Sequence, residues 1–325
     1  MIAIPHTARL ITVSLALIGQ TLIVSAGPQD PPRQDQPRPV FSASVARVPI
    51  SAVVTDSKNR RVQTLKREEF EVFENGAPRP ILDFSVNERE PIALALLFDT
   101  SGSMALGSSL PDSKAIVHHV LGWLEPQVDE VALFTFARRL YEEVPFTKNP
   151  ETIKRALSEV DPVGSTSLYD AIGAVATVLG RQPARRQGIV VVTDGLDNSS
   201  AMTPQQVSAA AASIDVPVYI LASVAPMNRP EYSLPVTSSM LPLATLADLS
   251  AWTGGTTTFV SAPAHASLAA RQLVSDLRHQ YILAIAAANE PGWYSLRVSA
   301  KRGKLNVRTR SGYVARTGQS GTSSR

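Results

Sequence analysis

The sequence predicts an α/β fold: a doubly wound, mainly parallel sheet with helices on both faces, plus a smaller β-rich domain built from the two flanking segments. Three observations carry this reading. Between Pro91 and Gln280, short unbroken apolar runs alternate with stretches of helical periodicity. That is the order expected of strands buried on both faces and of the helices that cover them. Before Pro91 and after His279 the period shortens to two, as in half-buried strands. Each flank holds too few strands to be stable alone, so the two are expected to pair with each other.

Composition bounds the rest. The 325 residues are 44% hydrophobic and 18% charged, which describes a globular chain with room for one large or two modest domains. The net charge of +3 is scattered rather than blocked, and makes no electrostatic footprint for nucleic acid. There is no cysteine. Disulfides, thiolate metal sites and cysteine nucleophiles are thereby excluded.

Taken in order, the chain opens with His6 and Arg9, then the apolar run Leu10 to Ile23, then the small residues Val24-Ser25-Ala26. This is the pattern of a cleaved secretory signal over 1–26, implying export to the periplasm or beyond the cell. Membrane contact is expected only if the signal stays uncleaved. Without a cysteine at the cleavage point, a lipoprotein is excluded. Residues 27–40 (GPQDPPRQDQPRPV) read as an extended Pro-rich linker. In the β-rich segment 41–90, Val45, Val48 and Ile50 to Val54 predict strands, with a turn at Asp56 to Asn59. Phe70, Val72 and Phe73 lead into the hairpin signal Asn75-Gly76, with Ile81, Phe84 and Val86 on the return.

Within 91–280 the predicted strands are Ile92 to Phe98, Val131 to Phe136, Ile189 to Thr193, Val216 to Ala222 and Thr257 to Val260. The predicted helices are Ser113 to Leu124, Glu151 to Val160, Leu168 to Leu179, Pro204 to Ser213, Leu243 to Trp252 and Ser267 to Arg278. Strands return in 281–315, at Tyr281 to Ala287, Trp293 to Ala300 and Leu305 to Arg310. The Gly/Ser-rich tail 316–325 is expected to carry no packed structure. Trp123 and Trp252 read as core at helix ends. Arg138-Arg139 and Arg185-Arg186 read as solvated loop charges. The adjacent His118 and His119 point to different helix faces and make a poor zinc site.

Three stretches carry chemistry, each beyond a predicted strand or in a connecting loop: Asp99-Thr100-Ser101-Gly102-Ser103, Gly164-Ser165-Thr166-Ser167-Leu168 and Thr193-Asp194-Gly195. Ligands gather outside the carboxyl ends of the strands of an open parallel sheet. Asp99, Ser101, Ser103, Thr166 and Asp194 converging there would make an all-oxygen site. That chemistry suits Mg²⁺ (or Mn²⁺ or Ca²⁺). With only two carboxylates, a bound ion keeps net positive character and takes one more anion. Asp170, one turn inside its helix, reads as a helix-dipole residue instead.

Asp99-x-Ser101-x-Ser103, then Thr166, then Asp194 resembles the metal-ion-dependent adhesion site of von Willebrand factor type A domains, over roughly residues 90–280. The resemblance implies a Rossmann-like sheet with a short antiparallel edge strand, here Leu140 to Val144. It implies that Ser101 and Ser103 ligate the ion directly, and that Thr166 and the aspartates do so directly or through water. It further implies a protein partner whose acidic side chain completes the shell. Leu65 to Phe84 and the ending Arg308 to Tyr313 (RTRSGY) resemble a bacterial secreted group related to the same domain, which adds architecture but no purpose.

The function expected is therefore metal-dependent protein binding, in adhesion or assembly within the cell envelope, and not catalysis. Hydrolase readings fit poorly. The Gly of Asp99-Thr100-Ser101-Gly102 falls one position late for an aspartic protease, and Gly164-Ser165-Thr166-Ser167-Leu168 lacks the last Gly of a nucleophile elbow. A structural envelope protein with a merely stabilising metal is the remaining alternative. The connection Ser223 to Pro242, with Met227, Arg229, Tyr232 and Met240, is longer than most strand-to-helix links, and leaves its strand at the metal end. Arg229 and Tyr232 are accordingly expected to contact the partner.

Overall fold

The structure, a computed structural model, describes residues 46–86, 90–181, 186–194, 197–213, 215–223 and 241–315. The segments read as signal (1–26), linker (27–40) and tail (316–325) lie outside the described residues. So does the stretch holding Met227, Arg229, Tyr232 and Met240.

The chain begins with β1 (Arg47–Thr55), β2 (Phe70–Glu74), β3 (Ala77–Arg79) and β4 (Asp83–Ser85). β2 and β3 form the expected hairpin. Asn75 and Gly76 sit at φ +49° and +80°, the paired positive angles that an Asn-Gly turn supplies at little steric cost. The predicted return strand is split, however. β3 pairs with β2, whereas β4 leaves for a different sheet.

The α/β body follows: β5 (Ile92–Asp99), α1 (Ser109–Trp123), β6 (Glu130–Phe136), β7 (Leu140–Thr147), α2 (Pro150–Ser158), α3 (Leu168–Leu179), β8 (Arg186–Thr193), α4 (Pro204–Ser213), β9 (Val218–Ser223), α5 (Leu241–Trp252), β10 (Thr257–Val260) and α6 (Pro263–Arg278). Its six strands lie in the order β10-β9-β8-β5-β6-β7. All neighbours are parallel except the β6–β7 pair at the edge, where the expected antiparallel strand is found. Alternate residues of β5 feed two separate cores. Leu94, Leu96 and Phe98 pack with Ile116 and Val120 of α1, Ile153 of α2 and Leu273 of α6. Ala95 and Leu97 pack on the other face with Ile172 of α3, Val207 of α4 and Leu249 of α5. A strand buried on both faces cannot alternate with polar residues, hence its unbroken apolar run.

The last strands are β11 (Tyr281–Ala286), β12 (Gly292–Ala300), β13 (Asn306–Arg308) and β14 (Gly312–Ala315). The two flanks do pair. One four-stranded sheet has the order β13-β1-β11-β4 and the other β14-β12-β2-β3, so each mixes N- and C-terminal strands. Ile50, Phe70, Val72, Tyr281, Leu283, Val298 and Tyr313 share a single core between them.

Three departures have physical causes. The predicted strand Leu305 to Arg310 stops at Arg308, because buried Arg310 turns inward and the chain crosses to the second sheet. At the crossing, a Cβ on Gly312 would lie 2.4 Å from the Trp293 ring and 2.5 Å from the Tyr294 carbonyl oxygen, so only glycine fits. Arg186 is not a solvated charge. It is 3% exposed and donates to the carbonyls of Leu277 and Gln280. Trp123 is not core either; it is 44% exposed, with the Arg271 guanidinium 5.4 Å from its ring centre.

Candidate metal centre

Strand order reverses at β5, which is flanked by β6 on one side and β8 on the other, although β8 comes later in the chain. The crevice at such a switch point opens beyond the carboxyl ends of the strands. β5 ends on Asp99, and β8 ends on Thr193, directly before Asp194.

Asp99 is fully buried. One carboxylate oxygen accepts the Ser101 backbone N–H at 2.8 Å, and the other accepts the Thr193 hydroxyl at 2.6 Å. Burial pushes its carboxyl up to about 6; the bonds from Thr193 and Ser101 oppose the rise, and the nearby charge of Asp194 adds to it. Ser101 is 1% exposed, and its hydroxyl lies 3.0 Å from that of Ser103. Ser103 opens a short turn of 3-10 helix with Gly102, directly above the end of β5.

The loop carrying Thr166 is bonded to the first. Val163 N–H donates to the Thr100 carbonyl at 2.6 Å, and Gly102 N–H donates to the Gly164 carbonyl at 2.9 Å. Gly164 takes φ +96°, a backbone conformation that favours glycine. Thr166 is 1% exposed. Asp194 carries a buried Oδ1 with no hydrogen-bond donor among the described residues. Gly195 lies outside them.

The five residues are thus carried to one end of the sheet by three loops, two of them joined by direct backbone bonds. Two carboxylates, three hydroxyls and a buried carboxylate oxygen lacking a donor form a hard-oxygen donor set, which fits a divalent cation of the magnesium type. No lysine or arginine pairs with Asp99 or Asp194 among the described residues. Nor do those residues contain a group of three or more His, Asp or Glu able to hold a metal.

Sequence reasoning missed the support behind this site. Ser167 caps α3 without a side-chain hydrogen bond, so the orphan N–H groups of that helix need acceptors from elsewhere. The loop after β8 supplies them. Asp197 and the Ser200 hydroxyl accept from Tyr169 N–H at 3.1 and 3.0 Å, and Asn198 Oδ1 accepts from Thr166 N–H at 2.9 Å. The loop is held in return, because Asp170 accepts from the N–H groups of Ala201 and Met202. Asp170 therefore does more than favour a dipole. The only signal in the sequence was an Asp-Asn-Ser-Ser run of good capping residues with no helix directly after it.

Residues 94–197 match the family model described as von Willebrand factor type A domain. No curated protein matches the chain. Among solved structures, the chain is similar to the conserved hypothetical protein BatB from Bacteroides thetaiotaomicron (17% identity, TM-score 0.46, covering 57% of this chain and 98% of that one). It is also similar to a von Willebrand factor type A protein from Catenulispora acidiphila (11% identity, TM-score 0.47, 77% and 76%). A third is proximal thread matrix protein 1 from the mussel byssus, with a zinc-occupied MIDAS motif (16% identity, TM-score 0.45, 64% and 50%).

Proposed function

We propose that this chain, whose residues 94–197 match the family model described as von Willebrand factor type A domain, is a non-catalytic binding module of an exported protein, one that grips an acidic side chain of a protein partner through a single divalent cation. Asp99, Ser101, Ser103, Thr166 and Asp194 would hold the ion, with Mg²⁺ or Mn²⁺ the first candidates. The observation that carries this reading is the pair of carboxylates at the ends of β5 and β8. Asp99 is fully buried, and among the described residues Asp194 has a buried oxygen without a donor and no cationic side chain neutralises either. Buried charge left in that state is costly, and a cation from solution removes the cost. When bound, the ion supplies a positive centre that accepts one further anionic ligand. Neutral hydroxyls at Ser101, Ser103 and Thr166 leave that charge only partly cancelled.

The test is thermal unfolding with and without metal, paired with capture of envelope proteins. A metal at a hundredfold its dissociation constant is expected to stabilise the fold by about 2.7 kcal/mol. Capture is expected to require metal and to reverse with chelator. Asp99→Ala is expected to lose both responses. A full Mg²⁺ response in Asp99→Ala would show the assignment to be wrong. Stabilisation by metal without metal-dependent capture would leave the ion a purely structural role.

A further inference from the structure

A groove of about 860 Å³ opens beside the metal loops, at the edge of the sheet formed by β6 and β7. Its inner end is lined by Thr100 and Gly164, the two loops whose backbone bonds hold the cation residues together. Arg138 and Arg139, in the β6–β7 turn, line it and are exposed, and no carboxylate pairs with either among the described residues. Glu159 and Asp161, at the exit of α2, line it as well, exposed and without a lysine or arginine partner among the described residues. Unpaired charges of both signs on one concave surface select a ligand of mixed charge: a purely acidic segment would be repelled by one wall, a purely basic one by the other. Glu143, which accepts the Thr135 hydroxyl at 2.6 Å, also lines it, as do Val163 and Tyr141. The last two are 74% and 57% exposed, large apolar and aromatic surface placed where a partner could cover it.

We propose that this groove receives an extended segment of the partner protein, contiguous with the acidic residue that reaches the cation. An acidic side chain of that segment meets Arg138 and Arg139, a basic one meets Glu159 and Asp161, and an apolar one covers Val163. The assignment rests on the cation-anchored reading above, and adds to it which sequences around the anchoring carboxylate are accepted.

The probe is a displayed peptide library with one fixed Glu flanked by random residues, selected on the full chain in Mg²⁺ and eluted with chelator. The selected pool is expected to carry acidic and basic residues at separate positions beside the fixed Glu. The R138E/R139E variant is expected to bind those peptides roughly fivefold more weakly, to keep its Mg²⁺ affinity, and to select basic residues where acidic ones stood. Reversal at the other wall, E159K/D161K, is expected to exchange the basic preference for an acidic one. A chelator-sensitive pool with no charge preference, or with one that neither reversal moves, would overturn the groove and leave the cation anchor standing. A pool identical in Asp99→Ala, or no pool at all, would overturn both.

Discussion

The two ends of the six-stranded sheet treat buried carboxylates in opposite ways. At the end where the parallel strands begin, each has an arginine. Asp129 bonds Arg278 at 2.6 Å, Asp276 lies between Arg61 and Arg308, and Asp215 lies 3.3 Å from Arg310. At the end where the strands finish, Asp99 and Asp194 have none among the described residues. On the function proposed above, the paired carboxylates are part of the fold, whereas Asp99 and Asp194 are left for a cation from solution. The arginines also show where the β-rich flanks are fastened. Arg61, Arg308 and Arg310 come from those flanks, and Arg310, 2% exposed, also donates to the carbonyls of Ala212 in the body and Pro49 in β1.

Separating the flanks from the body breaks this comparison most severely. A fragment of residues 91–280 lacks Arg61, Arg308 and Arg310, leaving Asp215 and Asp276 without counter-charges. It is expected to lose cooperative thermal unfolding; a sharp transition from the isolated fragment would show that the fasteners are dispensable. In the full chain, Arg310→Met strands Asp215, whose other side-chain partners among the described residues are the Ser51 N–H at 3.0 Å and the Ser51 hydroxyl at 2.7 Å. Loss of one member of a buried pair costs about 3–5 kcal/mol. Urea unfolding should register that cost equally with and without Mg²⁺. A change under about 1 kcal/mol would mean that water reaches the pair and screens it.

The opposite sign is expected at the metal end. Asp194→Asn removes one of two neighbouring carboxylate charges, leaving a neutral amide where a charged oxygen was buried without a donor among the described residues. Without metal the variant is expected to gain about 1 kcal/mol in unfolding free energy. With metal it is expected to lose most of the stabilisation that the native chain shows. A loss of stability in chelator would place Asp194 with the structural carboxylates instead, and erase the distinction between the two ends.

How much of this was legible in the sequence follows the same division. The strands of the body and the five proposed ligand residues were visible because apolar runs and Asp-x-Ser-x-Ser, Thr and Thr-Asp are local patterns. β7 was legible only through the resemblance, which implies an antiparallel edge strand. What the sequence hid is long-range. Arg186 looks like an ordinary charged loop residue, and Arg310 like the end of a strand, until the carbonyls and carboxylates around them are brought together from across the chain. β14 was hidden because the run Leu305 to Arg310 promises one strand, and only the inward turn of Arg310 shows that the chain changes sheets. The loop after β8 caps a helix about thirty residues earlier, and no spacing rule for local caps reaches that far.

That loop gives the smallest effect and the finest test of what separates the two ends. Asn198 touches Thr166 only through the backbone, by accepting its N–H at 2.9 Å, while its own N–H donates to the Thr166 carbonyl at 3.1 Å. Asn198→Ala removes the side-chain acceptor and keeps the backbone bond. The fold is therefore expected to lose only about 1 kcal/mol, the net worth of one hydrogen bond. The site has more to lose, because Thr166 keeps its hydroxyl but not the anchor that sets where the hydroxyl sits. Groups that orient metal ligands typically contribute about tenfold or more to affinity. Calorimetric titration with Mn²⁺ is expected to show about a tenfold weaker dissociation constant, with one site still present. An Asn198→Asp variant retains an acceptor and is expected to recover affinity, which a general loosening of the fold would not allow. Equal affinity in native chain and Asn198→Ala would mean that the backbone bonds, including those from the Asn198 and Ser199 N–H groups to the Thr166 carbonyl, position Thr166 without the Asn198 side chain.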